Sequence, residues 1–178
     1  MISIPRPDPE KSCNSILDVW NRLREELKSF LESIPRDLWN QKPGDGSWSP
    51  AETADHLQVT QALYGTLLLL VSKGKRKEAC KEYTLDYDSI ENVYEKEQLK
   101  NPEAVDPGEN IDPDLLLDNL DKAMEKTKNN LNLLDQNGLF QICFEHPFCG
   151  KISMMDWLWV LTLHERHHLE IMKRKYQK

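Results

Sequence analysis

Several things are missing from this chain, and each absence removes a class of function. Leu67–Val71 is as long an apolar run as it contains, far short of the roughly 20 residues that a membrane-spanning helix needs. The start, Met1 to Pro7, has no basic stretch leading into an apolar one, so no secretory signal is expected and a cytoplasmic location follows by default. A basic surplus is missing too. The formal charge is -7, which argues against a nucleic-acid partner, whose phosphates require a concentrated basic face. The one basic run, Lys73 to Lys77, reads as a solvated helix end. The four cysteines at 13, 80, 143 and 149 form no CxxC pair, which removes the zinc-ribbon and thioredoxin readings. In a cytoplasmic chain they are expected to be free thiols.

What is present is helical. With 178 residues, 30% of them charged, and a mean hydropathy of -0.66, the chain is expected to fold as one water-soluble domain spanning 1–178. A first helix is predicted from about Pro9 to Ile34, with Leu17, Trp20, Leu23, Leu27, Phe30 and Leu31 at spacings of three and four. A second starts at Ser49-Pro-Ala-Glu52, a capping box with proline at the first helical position, and runs to Val71 or Lys73. A third begins at Asp112-Pro113 and stops before Gly138, and a fourth starts at Ser153, with Asp156 three residues on, and runs toward the C-terminus. The nearly forty residues from Gly74 to Ile111 exceed the tight turn that joins antiparallel neighbours. They predict a crossover that leaves the second and third helices parallel, with a small extra helix around Ser89 to Leu99. The segment Leu139 to Lys151 reads as a short extended turn.

Chemistry concentrates in the histidines. His164 and His168, in His164-Glu-Arg-His167-His168, are four residues apart and share one helix face, which lets two imidazoles hold one ion. His167 should point partly away. A third ligand is needed, and His56 supplies it. It lies roughly 10 Å into the second helix, and His164 and His168 lie roughly 17 and 23 Å into the fourth, at 1.5 Å per residue. If those helices run antiparallel with aligned ends, His56 comes within about one turn of His168. Alone, His56 would ordinarily be a core histidine and the HxxxH pair a surface coincidence; their matched depth favours a metal site. Three imidazoles leave a coordination position open. Zinc, nickel, iron or manganese could sit there, and the imidazoles alone do not choose among them; zinc or nickel is the first expectation. His146, before Pro147, has no sequence partner and reads as structural. Trp48 reads as core and Cys149 as a loop thiol. Glu52 already has a capping role, and Asp55 and Glu165 are expected to face elsewhere, so no catalytic acid or base is named.

Gly46-Ser-Trp48-Ser49-Pro-Ala-Glu52 leading into His56-Leu57, then His146-Pro-Phe-Cys-Gly150, then Trp157 onward to His168 together resemble the DinB-like superfamily, in particular its branch labelled YfiT-like metal-dependent hydrolases. The resemblance covers most of the chain. It implies an all-α four-helix bundle with up-down-down-up topology and a long crossover between the second and third helices. It also implies a three-histidine metal centre on His56, His164 and His168. Relatives include thiol transferases that use bacillithiol or mycothiol, and members are often homodimers.

The function expected is therefore a metal-dependent transferase or hydrolase acting on a small molecule, with a low-molecular-weight thiol as a candidate cosubstrate. The alternative is a non-catalytic metal- or small-ligand-binding protein of stress response. Neither a membrane nor a nucleic acid is an expected partner.

Overall fold

The computed structural model describes residues 2–10, 13–75, 79–80, 84–96 and 105–176. Among the described residues, six α-helices, a short 3-10 turn at Arg36–Leu38 and one hairpin follow in order. The helices and strands are α1 (Asn14–Ser33), α2 (Pro50–Ser72), α3 (Tyr87–Glu95), α4 (Pro113–Leu131), α5 (Gln136–Gln141), β1 (Cys143–His146), β2 (Gly150–Ser153) and α6 (Met154–Tyr176). Four of them, α1, α2, α4 and α6, are the bundle; α3 lies in the crossover.

Side-chain pairings set the directions of the bundle helices. Along α1, Arg24 meets Glu165 and Glu26 meets Lys173, so α1 and α6 run parallel. Gln61 reaches Met124 and the Gly65 carbonyl reaches Asn130, so α2 and α4 also run parallel. His56 faces His164, while Tyr64 donates to the carbonyl of Met154, so α2 and α6 are antiparallel. This is the up-down-down-up order, with the long crossover carrying the chain back between α2 and α4.

The helix starts obey local chemistry. Ser49 accepts from the Glu52 amide while the Glu52 carboxylate accepts from the Ser49 amide, a complete capping box. Asp112 caps α4, and at the head of α6 the Ser153 hydroxyl accepts from the Asp156 amide and donates to the Asp156 carboxylate. Most of α6 is buried, including Trp157, Leu158, Trp159, Val160 and Leu161 in succession. A helix apolar on all sides belongs at the centre of a bundle, and α1, α2, α3, α5 and the hairpin all pack on it.

Four expectations are corrected. The first helix starts at Asn14 and not near Pro9, with residues 9 and 10 in a turn. The third ends at Leu131, and Asp135 caps a separate short helix, α5, through the Gly138 amide. The extended turn is an antiparallel hairpin pairing Cys143 with Ser153 and His146 with Gly150. The cysteines are not all free: Cys80 and Cys143 form a disulfide, leaving Cys13 and Cys149 as thiols. The physical reason is the edge of β1. A bridge pairs Ala79 with Ile142 and the Cys80 amide donates to the Gln141 carbonyl, which sets the two sulfurs face to face. A separation of 63 residues carries no trace of this in sequence. The crossover helix ends at Glu95; its expected continuation toward Leu99 lies outside the described residues.

Candidate metal centre

Two helices bring the three sequence-predicted ligands together. His56 lies in the second turn of α2, positioned by the Ser49 cap, and His164 and His168 lie one turn apart on α6. The Nε2 of His164 is 3.0 Å from the Nε2 of His56 and 3.0 Å from that of His168. One ligand atom from each ring lies within 4.8 Å of the others, and all three rings are buried. The Nδ1–H of His56 donates to the Val105 carbonyl at 2.6 Å. That bond fixes the tautomer and leaves the His56 Nε2 with a bare lone pair aimed at its neighbours.

Burial pushes the His56 ring below its ordinary pKa, against the opposing effect of the Val105 hydrogen bond and of the Asp106 and Asp55 carboxylates. Burial likewise holds His164 and His168 well below it, helped by the neighbouring imidazoles. Neutral rings are what a metal requires. Three converging imidazole nitrogens cannot satisfy one another by hydrogen bonding, because each neutral ring has a single N–H. A tetrahedral ion with bonds of about 2.0–2.1 Å sets its ligand nitrogens about 3.3 Å apart. The two pairs at 3.0 Å need a few tenths of an ångström of opening to admit one, and three neutral imidazole nitrogens are a donor set that suits a divalent transition ion.

Three of the surrounding carboxylates are engaged elsewhere. Glu165 pairs with Arg24 at 2.7 Å in the core and also accepts from Trp20. Asp55 accepts from the Gly108 amide, and Glu52 serves the cap and Lys42. His167 is half-buried beside Tyr94 and His168 and is not one of the converging ligands.

Residues read as structural turn out to border the centre. Trp48 is half-buried, with its ring 4.7 Å from His56 and 6.0 Å from His168, so it covers the ligands and is not a core residue. His146 stands at the end of β1 and lines a cavity of about 110 Å³ together with His56 and His164. Tyr94 and Val105, from the crossover, line the same cavity. No periodicity could have flagged these four, since each reaches the site from a loop, a strand end or the crossover. Of the four, Trp48 and the histidine ahead of Pro147 are visible in the sequence, both within the stretches that resemble the superfamily. Cys149 sits beside this region, but burial pushes its thiol up to about 11, with Asp156 adding to the effect, so it is no nucleophile at neutral pH.

The sequence model of the DinB superfamily matches residues 20–172. This chain belongs to the DinB superfamily. Among curated proteins, the DinB-superfamily chain is similar to the uncharacterised YuaE of Bacillus subtilis, at 23% identity over 91% of this chain and 98% of the relative. Among solved structures it is similar to YfiT from Bacillus subtilis, described as a probable metal-dependent hydrolase with an unusual four-helix bundle topology. There the TM-score is 0.64 and the identity 19%, over 98% of this chain and 95% of that one. It is also similar to TT2238, a four-helix bundle protein, with a TM-score of 0.60 and 19% identity over 92% and 99% of the two chains. At such identities the likeness establishes the fold. The ligand set rests on the residues of this chain.

Proposed function

We propose that this DinB-superfamily protein is a metal-dependent enzyme that activates a small nucleophile, a low-molecular-weight thiol foremost and water otherwise, toward a small electrophile. The observation that carries the reading is the convergence of three neutral, buried imidazole nitrogens with a cavity opening on two of them, His56 and His164. A divalent ion on three protein ligands keeps a position open and lowers the pKa of the nucleophile that binds there.

The protein's own residues supply position and dryness. The Val105 carbonyl orients His56, Trp48 shields His56 and His168, and the apolar cavity excludes water beside His164. Glu52, Asp55 and Glu165 are held in other bonds, which makes each a poor general base. This favours a thiol over water, because a thiol starts nearer its deprotonation range. The same feature supports the second reading, a metal- or ligand-binding protein without turnover.

Elemental mass spectrometry of untagged protein, beside a His164→Ala/His168→Ala variant, tests the centre. About one equivalent of zinc, nickel, iron or manganese in the parent and little in the variant is expected. A parent that is empty and refuses added zinc, nickel and manganese would overturn it. A screen of thiols against electrophiles, and of esters and amides against water, then separates transfer, hydrolysis and mere binding.

A further inference from the structure

The cavity beside the three ligands has a composition that selects its occupant. Among the described residues lining it, none carries a formal charge, and Trp157, Val160 and Leu161 form much of its wall. Leu63 and Phe148, each 44% exposed, stand at its opening. In the metal-free cavity a carboxylate or a sugar-bearing thiol would lose its hydration with no cationic side chain to replace it. An uncharged apolar group would enter favourably.

Besides the two ligand rings, the wall carries the hydroxyls of Thr60 and Tyr94 and the ring of His146, and the Thr60 hydroxyl donates to the His56 carbonyl. The Nδ1 of His146 accepts from the amides of Phe148 and Cys149, both at 3.2 Å, in the turn between β1 and β2. An imidazole nitrogen that accepts two N–H groups carries no proton, so the neutral ring bears its proton on Nε2. Burial holds His146 down to about 4, and the neutral form is therefore the one present at neutral pH. The ring lies 4.4 Å from that of Trp157. Its Nδ1 edge is turned to the hairpin, and among the described residues no acceptor meets Nε2–H.

We propose that this cavity receives an uncharged acyl or aryl group carrying one hydrogen-bond acceptor, and that the Nε2–H of His146 is the donor that holds the acceptor beside the three-histidine centre. This rests on the reading of the centre as a metal-dependent active site, and it names the electrophile's chemistry: a small apolar carbonyl compound. A polar thiol cosubstrate would have to approach by another face. His146 is then a specificity-determining residue whose second nitrogen is fixed by its own turn.

Binding of benzamide, benzoate and ethylbenzene, followed by ligand-observed NMR on the protein as purified and after chelation, tests this. The three probes present a neutral acceptor, a charged acceptor and none. On the chelated protein benzamide is expected to bind tighter than both others. His146→Asn keeps an acceptor toward the turn amides but has no donor where Nε2 stood. It should weaken benzamide by about 5- to 10-fold, as loss of one hydrogen bond does, and leave ethylbenzene unchanged. His146→Gln, which puts an amide N–H near that place, should restore part of the loss. Benzoate preferred over benzamide on the chelated protein, or benzamide indifferent to His146→Asn in a folded variant, would overturn the proposal. Because the chelated protein is the decisive sample, the result stands apart from the metal content, and each of the two readings can fail alone.

Discussion

The Nδ1–H of His56 and the backbone carbonyl of Val105 lie 2.6 Å apart, joining the first of the three converging histidines to the crossover that connects α2 and α4. Three residues past Val105, the Gly108 amide donates to the Asp55 carboxylate at 2.9 Å, on the residue next to His56. The crossover is thus tied to both members of one dipeptide. Asp55→Ala is expected to release the Gly108 end and loosen the Val105 carbonyl. Loss of such an outer partner typically lowers metal affinity 10- to 100-fold, and the lower end is expected here because the direct bond survives. Competition with a chromogenic chelator measures it, with circular dichroism confirming an intact fold. An affinity equal to wild type would mean that the carbonyl is held without Asp55.

Trp48 covers His56 and His168 from the loop ahead of α2. Trp48→Ala is expected to leave the stoichiometry of bound metal intact and to expose that side of the centre to solvent. The rate at which excess chelator strips the ion should rise several-fold, because shielding governs access more than affinity. Stopped-flow release into a fluorescent chelator gives the comparison; equal rates would assign Trp48 a packing role only.

Arg24 and Glu165 are both almost fully buried, and Arg24 also donates to Gln61 and to the Leu120 carbonyl. Removing one member leaves a charge without its partner in the core, which costs about 3–5 kcal/mol. Arg24→Met is therefore expected to lower stability by about that much in urea titrations. The Arg24→Met/Glu165→Leu pair should recover part of the loss. Recovery stays incomplete because Trp20, Gln61 and the Leu120 carbonyl each lose a partner. A double variant no more stable than Arg24→Met would locate the cost in those neutral partners.

The pH dependence of the chelated protein follows from the histidines that burial holds below the free value, His56, His164 and His168 together with His146, and His146 can be separated from the rest. Its folded pKa, about 4, lies below the unfolded value of about 6.5. Between those values the unfolded chain binds a proton that the folded chain does not, so stability falls as pH falls. The contribution is complete above about pH 6.5 and is lost progressively down to about pH 4. The lowered carboxylates of Glu52 and Asp86 act in the same direction but only below about pH 4.5, where free carboxylates protonate. A melting temperature that drops between pH 7 and pH 5, with a shallower drop in His146→Asn, is the expected result. A flat profile over that interval would mean that His146 protonates equally well in the folded state.

Much of this architecture was legible because its signals are local. Ser49-Pro-Ala-Glu52 and Asp112-Pro113 mark helix starts through bonds made within three residues. His164 and His168 share a face through helix geometry alone. Even the direction of α2 against α6 could be argued, since a crossover too long for a tight turn implies parallel α2 and α4. Asp8-Pro9 mimics a helix start that the chain does not use, and the first helix begins at Asn14. The short helix α5 was merged with α4 because a leucine at 134 continues the apolar spacing past the true end at Leu131.

The helical bundle, the caps and the convergence of His56, His164 and His168 follow from the sequence, because each depends on spacing along one helix or on depth from a capped end. Tertiary structure alone decided what surrounds them. The Cys80–Cys143 disulfide, the Val105 carbonyl on His56, the Trp48 cover and the His146 wall all join residues that no period or turn rule relates. Their encounter depends on how the crossover and the hairpin close over one end of a packed bundle. That closure is set by the sum of many weak contacts, and no short stretch of the chain encodes it.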